Sequence, residues 1–337
     1  MSNYLTKNSF FDLRNAFFTF ISCSDFCLYC IFVNRKPNLI TMIMKRFSLF
    51  LAVMMLALAS QAQLLWKVSG NGLARPSYIM GTYHFAPATM MEKIPGMNQA
   101  LEGCDVVVGE IDKEEMTNQE TQMKMGMAMV APPDSTLDVL FTPEEYAVVE
   151  KVFDKYFGNM GVKLSQMNML KPSAISLQMQ ALQAMKYFPN IEESELIDMA
   201  VQTRANEMGR PSIGLETIEE QVALLFNTPL KEQAEDLLEA CQKDDLFVVQ
   251  SSALVEAYMA QDLTKIEEVM TDPELGGDDA EAMDALIYDR NRDWAEKLDK
   301  MMPERAALVC VGAGHLPGDQ GLLQLLRNRG YTVEPMQ

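Results

Sequence analysis

"AALVCVGAGHLPGDQGLLQLLRNRGYTVEP", Ala306–Pro335, is the stretch that decides the fold. Its unbroken apolar start, Ala306–Val311, fits a strand buried on both faces. A glycine-punctuated turn follows. Gly318–Gly330 then carries the leucine spacing of a helix, and Tyr331–Pro335 alternates like a strand. Strand, helix, strand is a closing unit for an α/β sheet. The turn contains Gly312-Ala313-Gly314-His315, and His315 is one of only two histidines in the chain. The other, His84, lies in "IMGTYHFAP" (Ile79–Pro87), again three residues after a glycine, Gly81, and again at the end of an apolar run.

Working outward, "LLWKVSG" (64–70) and "PSYIMGT" (76–82) read as a β-hairpin across a Gly/Asn turn. A short helix near 95–102 leads to Val106–Val108, a buried strand bounded by charges, and "RPSIGLET" supplies another short strand. Helical signals fill about 113–208 and 217–302. Thr142-Pro143-Glu144-Glu145 is a cap, a first-turn proline and two acids favoured by the helix dipole. The expected fold is α/β: a mixed central sheet built from the N- and C-terminal segments, with a large helical insertion.

Composition bounds the partners. Among 337 residues, 48% are hydrophobic, enough for a sizeable core, and the net charge is −19. Residues 44–62 show a basic start (Lys45, Arg46), an apolar stretch and a small-x-small end, Ser60-Gln61-Ala62. That pattern is a secretory signal, so the protein is expected to be exported, periplasmic or secreted. The apolar stretch is shorter than the ~20 residues a bilayer requires, so no membrane span is expected in the mature chain. Residues 1–43 read as an upstream extension placed before the true start, and 63–337 as a single domain. The extension holds Cys23, Cys27 and Cys30 in a cluster-like spacing. A segment ahead of an export signal is not expected to carry an iron–sulfur cluster. Cys104, Cys241 and Cys310 are odd in number and sit in or beside apolar runs, so buried thiols are expected rather than disulfides. Taking away residues 1–62 removes six basic and two acidic side chains and leaves −23. A charge of that sign excludes nucleic acid and anionic lipid as partners and leaves peptides, small molecules or metal ions.

Each histidine follows a strand-like run and a glycine, the position at which open α/β sheets place ligands. Two histidines cannot form a three-histidine site, so a metal would need carboxylates as well. Glu110 in "VVVGEID" and Glu216 in "IGLET" share the same strand, glycine, polar residue grammar. Asp112 and Glu219 lie one step further on and are weaker candidates. These four strand ends, His84, Glu110, Glu216 and His315, are expected to converge on one face of one sheet.

"SYIMGTYH", "VVVGEID", "IGLETIEEQ", "DRNRDWAEKL" and "VCVGAGHLPGDQGLLQLLRNRGYTV" together resemble the TraB/GumN/TIKI family over residues 64–336. The resemblance implies a core similar to the erythromycin-esterase/ChaN-like group and a metal-dependent peptidase activity using manganese- or cobalt-type ions, with zinc or iron as other choices. It carries His84, His315, Glu110 and Glu216 over as metal-site residues and adds Arg290 from an Arg-Asn motif. In the expected mechanism a metal-activated water attacks a polarised carbonyl. The glutamate not engaged with metal serves as base, and Arg290 pairs with that carboxylate or with a substrate carboxylate. Tyr83 could donate to the oxyanion, although packing is its commoner role.

Two other stretches invite readings. Met123, Met125, Met127 and Met129 alternate in "MKMGMAMV" and are expected to be adaptable apolar filling rather than a copper site. "DPELGGDDAEAMD" lacks calcium-loop spacing and reads as a solvated connection. The alternative function is a non-catalytic protein that sequesters a peptide or haem, with His84 and Tyr83 as axial candidates.

Overall fold

The computed structural model describes residues 63–188, 195–275, 277 and 280–336. The expected upstream extension, the export signal and Cys23, Cys27 and Cys30 lie outside the described residues. The sheet has six strands, β1 (Leu65–Gly70), β2 (Ser77–Thr82), β3 (Val106–Gly109), β4 (Ser212–Gly214), β5 (Ala307–Gly312) and β6 (Tyr331–Pro335). Their order is β4-β3-β5-β2-β1-β6. β1 and β2 form the antiparallel hairpin, turned at Gly70-Asn71-Gly72, where all three residues have positive φ. β2, β5, β3 and β4 pair in parallel. Every residue of β2 and β3 is buried, as strands covered on both faces require.

β6 pairs antiparallel with β1 and so runs in the same direction as β5, but β2 and β1 lie between them. The closing strand–helix–strand unit therefore clamps the hairpin instead of placing its two strands side by side. Its helix is shorter than the expected Gly318–Gly330. Gly318 is left-handed (φ 82), and helix begins only after the extended N-cap Gly321.

The helices used below are α1 (Met97–Gly103), α2 (Lys113–Thr117), α3 (Gln119–Ala128), α4 (Pro143–Phe157), α5 (Pro172–Met185), α6 (Ile197–Glu207), α7 (Ile218–Phe226), α8 (Leu230–Gln242), α9 (Asp244–Met259), α10 (Leu263–Thr271), α11 (Asp289–Met301) and α12 (Leu322–Asn328). α1 to α6 form the insertion between β3 and β4 apart from α1, which joins β2 to β3; α7 to α11 join β4 to β5. α4 and α7 each begin with a full capping box, on Thr142/Glu145 and Thr217/Glu220, worth about 1 kcal/mol for the cap residue. The sheet, α1, α6, α11 and α12 share the main core. α4, α5 and α8 enclose a second core, in which Phe153 and Phe157 stack at 4.1 Å.

Cys104, Cys241 and Cys310 are buried free thiols. The methionine run departs from expectation. It is helical, so residues two apart point roughly 200° apart and cannot share a face. Met123 and Met127 emerge into solvent, 61% and 70% exposed, and do not fill a core. The "DPELGGDD" connection begins as a 3₁₀ turn, Pro273–Leu275, and part of it lies outside the described residues.

Candidate functional site

Because β2, β5, β3 and β4 are parallel, the residues that follow them emerge at one edge of the sheet. His84 follows β2, Glu110 follows β3, Glu216 follows β4 and His315 follows β5. The ladder continues past the strand ends: Glu216 N–H donates to the Glu110 carbonyl at 2.9 Å.

Space, rather than turning, explains the glycines of the paired motifs. Neither Gly81 nor Gly312 has positive φ. A β-carbon on Gly81 would stand 3.1 Å from both Cα and Cβ of Ala313, in the turn that carries His315. One on Gly312 would stand 3.4 Å from Glu110 Oε1, 3.4 Å from His84 Nε2 and 3.5 Å from His315 Cδ2. The bare Gly312 backbone is thus where three site residues meet, and its N–H donates to Glu110 Oε1 at 2.7 Å. Gly109 and Gly214, which precede the two glutamates, are equally hemmed in, with a β-carbon 2.6 Å from Gln202 Nε2 and 2.7 Å from the Glu216 carbonyl respectively.

Arg290 reaches the same place from α11. Its Nε and Nη2 donate to Glu216 Oε1 (2.8 Å) and Oε2 (2.9 Å), a bidentate fork, and Nη2 also donates to Glu110 Oε2 at 2.7 Å. Nη1 donates to the Leu286 carbonyl at 3.0 Å and lies 3.2 Å from His315 Nε2. Leu286 belongs to a π-helical turn, Asp284–Tyr288, a local widening often found at functional sites. Trp294, four residues on from Arg290, lies under the guanidinium (4.7 Å), packs on His315 (4.4 Å between ring centres) and donates Nε1–H to Glu216 Oε1 at 2.9 Å.

This arrangement corrects one expectation and decides another. Both Glu216 oxygens accept hydrogen bonds from Arg290 or Trp294, so Glu216 is not a free general base. Of the two expected roles of Arg290 the structure shows pairing with the site carboxylates: it is an interior clamp on two of them, with its side chain 16% exposed.

The two histidines differ in exposure. His315 is buried, with Nδ1 2.8 Å from Asn291 Oδ1. Burial, together with the nearby Arg290 charge, lowers its pKa to about 3, so the ring is neutral. His84 has its side chain 57% exposed at the floor of a cleft. Its Nδ1 lies 3.1 Å from Asp198 Oδ2, and Asp198 Oδ1 accepts from Thr82 Oγ1 at 2.5 Å. Its Nε2 lies 3.8 Å from Glu110 Oε1. The protein around the ring opposes a charge, but Asp198 and then Glu110 override it and raise the pKa to about 9. For Glu110 burial again opposes ionisation and is overridden by the charges of His84 and Arg290 and by the Gly312 N–H, which hold it at about 2. His315 also faces Glu110 but adds little, being neutral.

The cleft measures about 210 Å³ and is lined by His84, Glu110 and Asp198 together with Met116, Leu196 and Met199. Gln221 reaches in from α7 and donates to Glu110 Oε2 at 3.3 Å. Tyr83 does not line the cleft. Its ring packs among Phe85, Phe188 and Tyr258, with centroids 5.6–6.0 Å away. The weaker candidates stand apart: Asp112 accepts from Ser212 Oγ at 2.6 Å, and Glu219 pairs with Lys124 on the surface. Among the described residues, no three His, Cys, Asp or Glu side chains are grouped so as to hold a metal ion.

Sequence reasoning missed Asp198, Asn291 and Trp294. The last two had a signal, since Asn291 adjoins Arg290 and Trp294 is four residues further along one helical face. Asp198 is a first-turn acid of α6 with no local mark to distinguish it.

Comparison with known proteins finds relatives that cover more than half of this chain. The uncharacterized protein YbaP of Escherichia coli (strain K12) is 30% identical over 218 residues, covering 61% of this chain and 79% of that protein. YbaP of Shigella flexneri is 27% identical over 264 residues, covering 75% and 88%. A metalloprotease TIKI homolog of Amphimedon queenslandica is 20% identical over 324 residues, covering 82% of this chain and 62% of that protein. No solved structure matches at a significant level. The sequence model of the TraB/PrgY/gumN family matches residues 64–335, essentially the whole sheet-bearing region with all four strand-end residues, and the chain belongs to that family.

Proposed function

We propose that this chain is a hydrolase acting on carbonyl-containing substrates, peptides first, at the His84–Glu110 side of the site. The observation that carries the reading is His84 itself. Its Nδ1 is pinned by Asp198, while Nε2 faces both the cleft and Glu110. The name of the Amphimedon queenslandica relative, a metalloprotease TIKI homolog, supports the reaction class.

The family resemblance implies a divalent ion at this site. His84 Nε2 and Glu110 Oε1, 3.8 Å apart, lie within the ~4.2 Å that two bonds of roughly 2.1 Å to one ion allow. Glu216 and His315 do not line the cleft; Arg290 and Trp294 donate to both Glu216 oxygens, and Arg290 Nη1 faces the His315 Nε2 lone pair. A manganese- or cobalt-type ion would therefore be held by His84 and Glu110. When bound, it supplies Lewis-acid polarisation of a substrate carbonyl.

The chain's own residues do the rest. Asp198 keeps the Nδ1 proton in place, so Nε2 is the atom that meets a ligand. In the ion-free protein Nε2 is also protonated at neutral pH. The Nε2 proton would compete with a bound ion, so ion affinity would fall as pH falls. Arg290 and the Gly312 N–H keep Glu110 ionised and oriented. Met116, Leu196 and Met199 form a wall for an apolar substrate side chain, and thioethers adapt to varied shapes. The reading includes export, carried by the pattern at 44–62 and tested by cell fractionation.

The deciding experiment incubates the purified chain with a peptide library, with manganese or cobalt and after chelation, alongside His84→Ala. Ion-dependent cleavage that disappears in the variant is expected. Cleavage that persists in His84→Ala, or no cleavage under any condition, overturns the reading. Peptide retained without turnover would support sequestration instead.

A further inference from the structure

The paired Gly-x-x-His motifs look interchangeable in sequence, but their wiring is not. Asn291 settles the state of His315. Its Nδ2 donates to the His315 carbonyl (3.1 Å) and the Gln320 carbonyl (3.0 Å), both of which can only accept. The amide orientation is therefore fixed, and Oδ1 is the atom 2.8 Å from His315 Nδ1. An oxygen there requires Nδ1 to carry the proton, which leaves the lone pair on Nε2. That lone pair lies 3.2 Å from Arg290 Nη1, which can only donate.

Arg290 completes the count. A guanidinium has five N–H donors. Here the five are directed to Glu216 Oε1, Glu216 Oε2, Glu110 Oε2, the Leu286 carbonyl and His315 Nε2. None is left for a substrate. An ion entering between His315 and Glu216 would strand several of these donors in the interior. Trp294, fully buried, packs against the His315 ring. His84 has the opposite surroundings: the same kind of Nδ1 anchor, but an Nε2 facing a carboxylate and open space.

We propose that the two motif histidines divide the work, His84 meeting the ligand or ion while His315 never does. His315 is a positioning residue. It is the neutral acceptor that closes the cage around Arg290, and through Arg290 it holds Glu110 in line with His84. The proposal rests on the preceding reading only in taking the cleft beside His84 as the place where a ligand is met.

The chain has only two histidines, so ¹⁵N-histidine labelling of the full chain gives two imidazoles, assigned with His315→Gln. Expected at pH 7 is an Nδ1–H neutral tautomer for His315, with ring shifts that stay put as Zn²⁺ is added while those of His84 move. A charged or Nε2–H ring at His315, or a His315 Nε2 shift of direct ligation on adding Zn²⁺, overturns the proposal. If zinc moves neither ring, the ion reading above fails, and the tautomer still decides this one. The second measurement follows solvent exchange of the Arg290 Nη1 protons, the pair directed to His315 Nε2 and the Leu286 carbonyl. Glutamine at 315 offers an acceptor and leucine does not. Exchange is expected to quicken at least about tenfold in His315→Leu, the loss of one hydrogen bond to a charged group, and far less in His315→Gln. Equal exchange in all three proteins overturns the proposal. Should the leucine variant not fold, the wild-type tautomer and the zinc titration decide.

Discussion

Replacing Arg290 with methionine keeps most of the stem's volume but removes the charge and all five donors. Glu110 and Glu216, with side chains 8% and 9% exposed, would be left in the interior without their counter-ion. Removing one partner of a buried pair costs about 3–5 kcal/mol. Part of this is carried through Glu110, whose carboxyl the charges of His84 and Arg290 and the Gly312 N–H hold well below the usual carboxylate range. The sign with pH follows from the lowered pKa. The Glu110 contribution is fully present above 4.5 and is lost as pH falls through about 2. The gap between wild type and variant is therefore widest near neutrality and narrows as pH falls toward 3. Equilibrium urea unfolding of both proteins at pH 7 and pH 3 measures it. Arg290→Lys, which keeps the charge but not the fork, should fall between them. A gap below ~1 kcal/mol at pH 7, or one of the same size at both pH values, would refute the assignment of Arg290 as the clamp.

Two further outcomes are expected. Gly81→Ala places a β-carbon 3.1 Å from the Ala313 backbone, which cannot give way as a side-chain end can. A cost of ~1–3 kcal/mol lowers the melting temperature by roughly 3–10 °C, and an unchanged melt would show that the glycine is not there for space. In Asp198→Asn, the His84 midpoint should drop from about 9 toward 6.5, followed by imidazole NMR. A raised His pKa stabilises below 6.5 and loses that stabilisation as pH rises through about 9, so the variant should lack this slope. A midpoint that stays near 9 would mean that Asp198 is not the partner.

Much of the sheet was legible because continuous apolar runs and turn glycines are local signals. Val106–Val108 and Ala306–Val311 announced buried strands, and Thr142-Pro143 and Thr217 announced helix starts. The methionine run was misread because its alternation resembles a strand or a filled core, whereas its helix sends Met123 and Met127 into solvent. The helix before β6 was drawn too long because leucine spacing carries no warning of the left-handed backbone at Gly318.

The sequence by itself determined where chemistry could emerge: four apolar runs, each ending in glycine and then His or Glu, at 84, 110, 216 and 315. Parallel strands bring such ends to one edge, so convergence followed from the pattern. Only the tertiary structure decided what each residue does there. Asp198, 114 positions from His84, is one of 47 acidic residues and is distinguished only by the β2–α6 contact that brings it to Nδ1. Arg290 arrives from α11, bonds both oxygens of Glu216 and faces His315 Nε2, turning two expected ligands into a clamp. A histidine's role depends on which group faces each ring nitrogen. Those groups come from segments far apart in the chain, so identical local motifs acquire different chemistry when the chain folds.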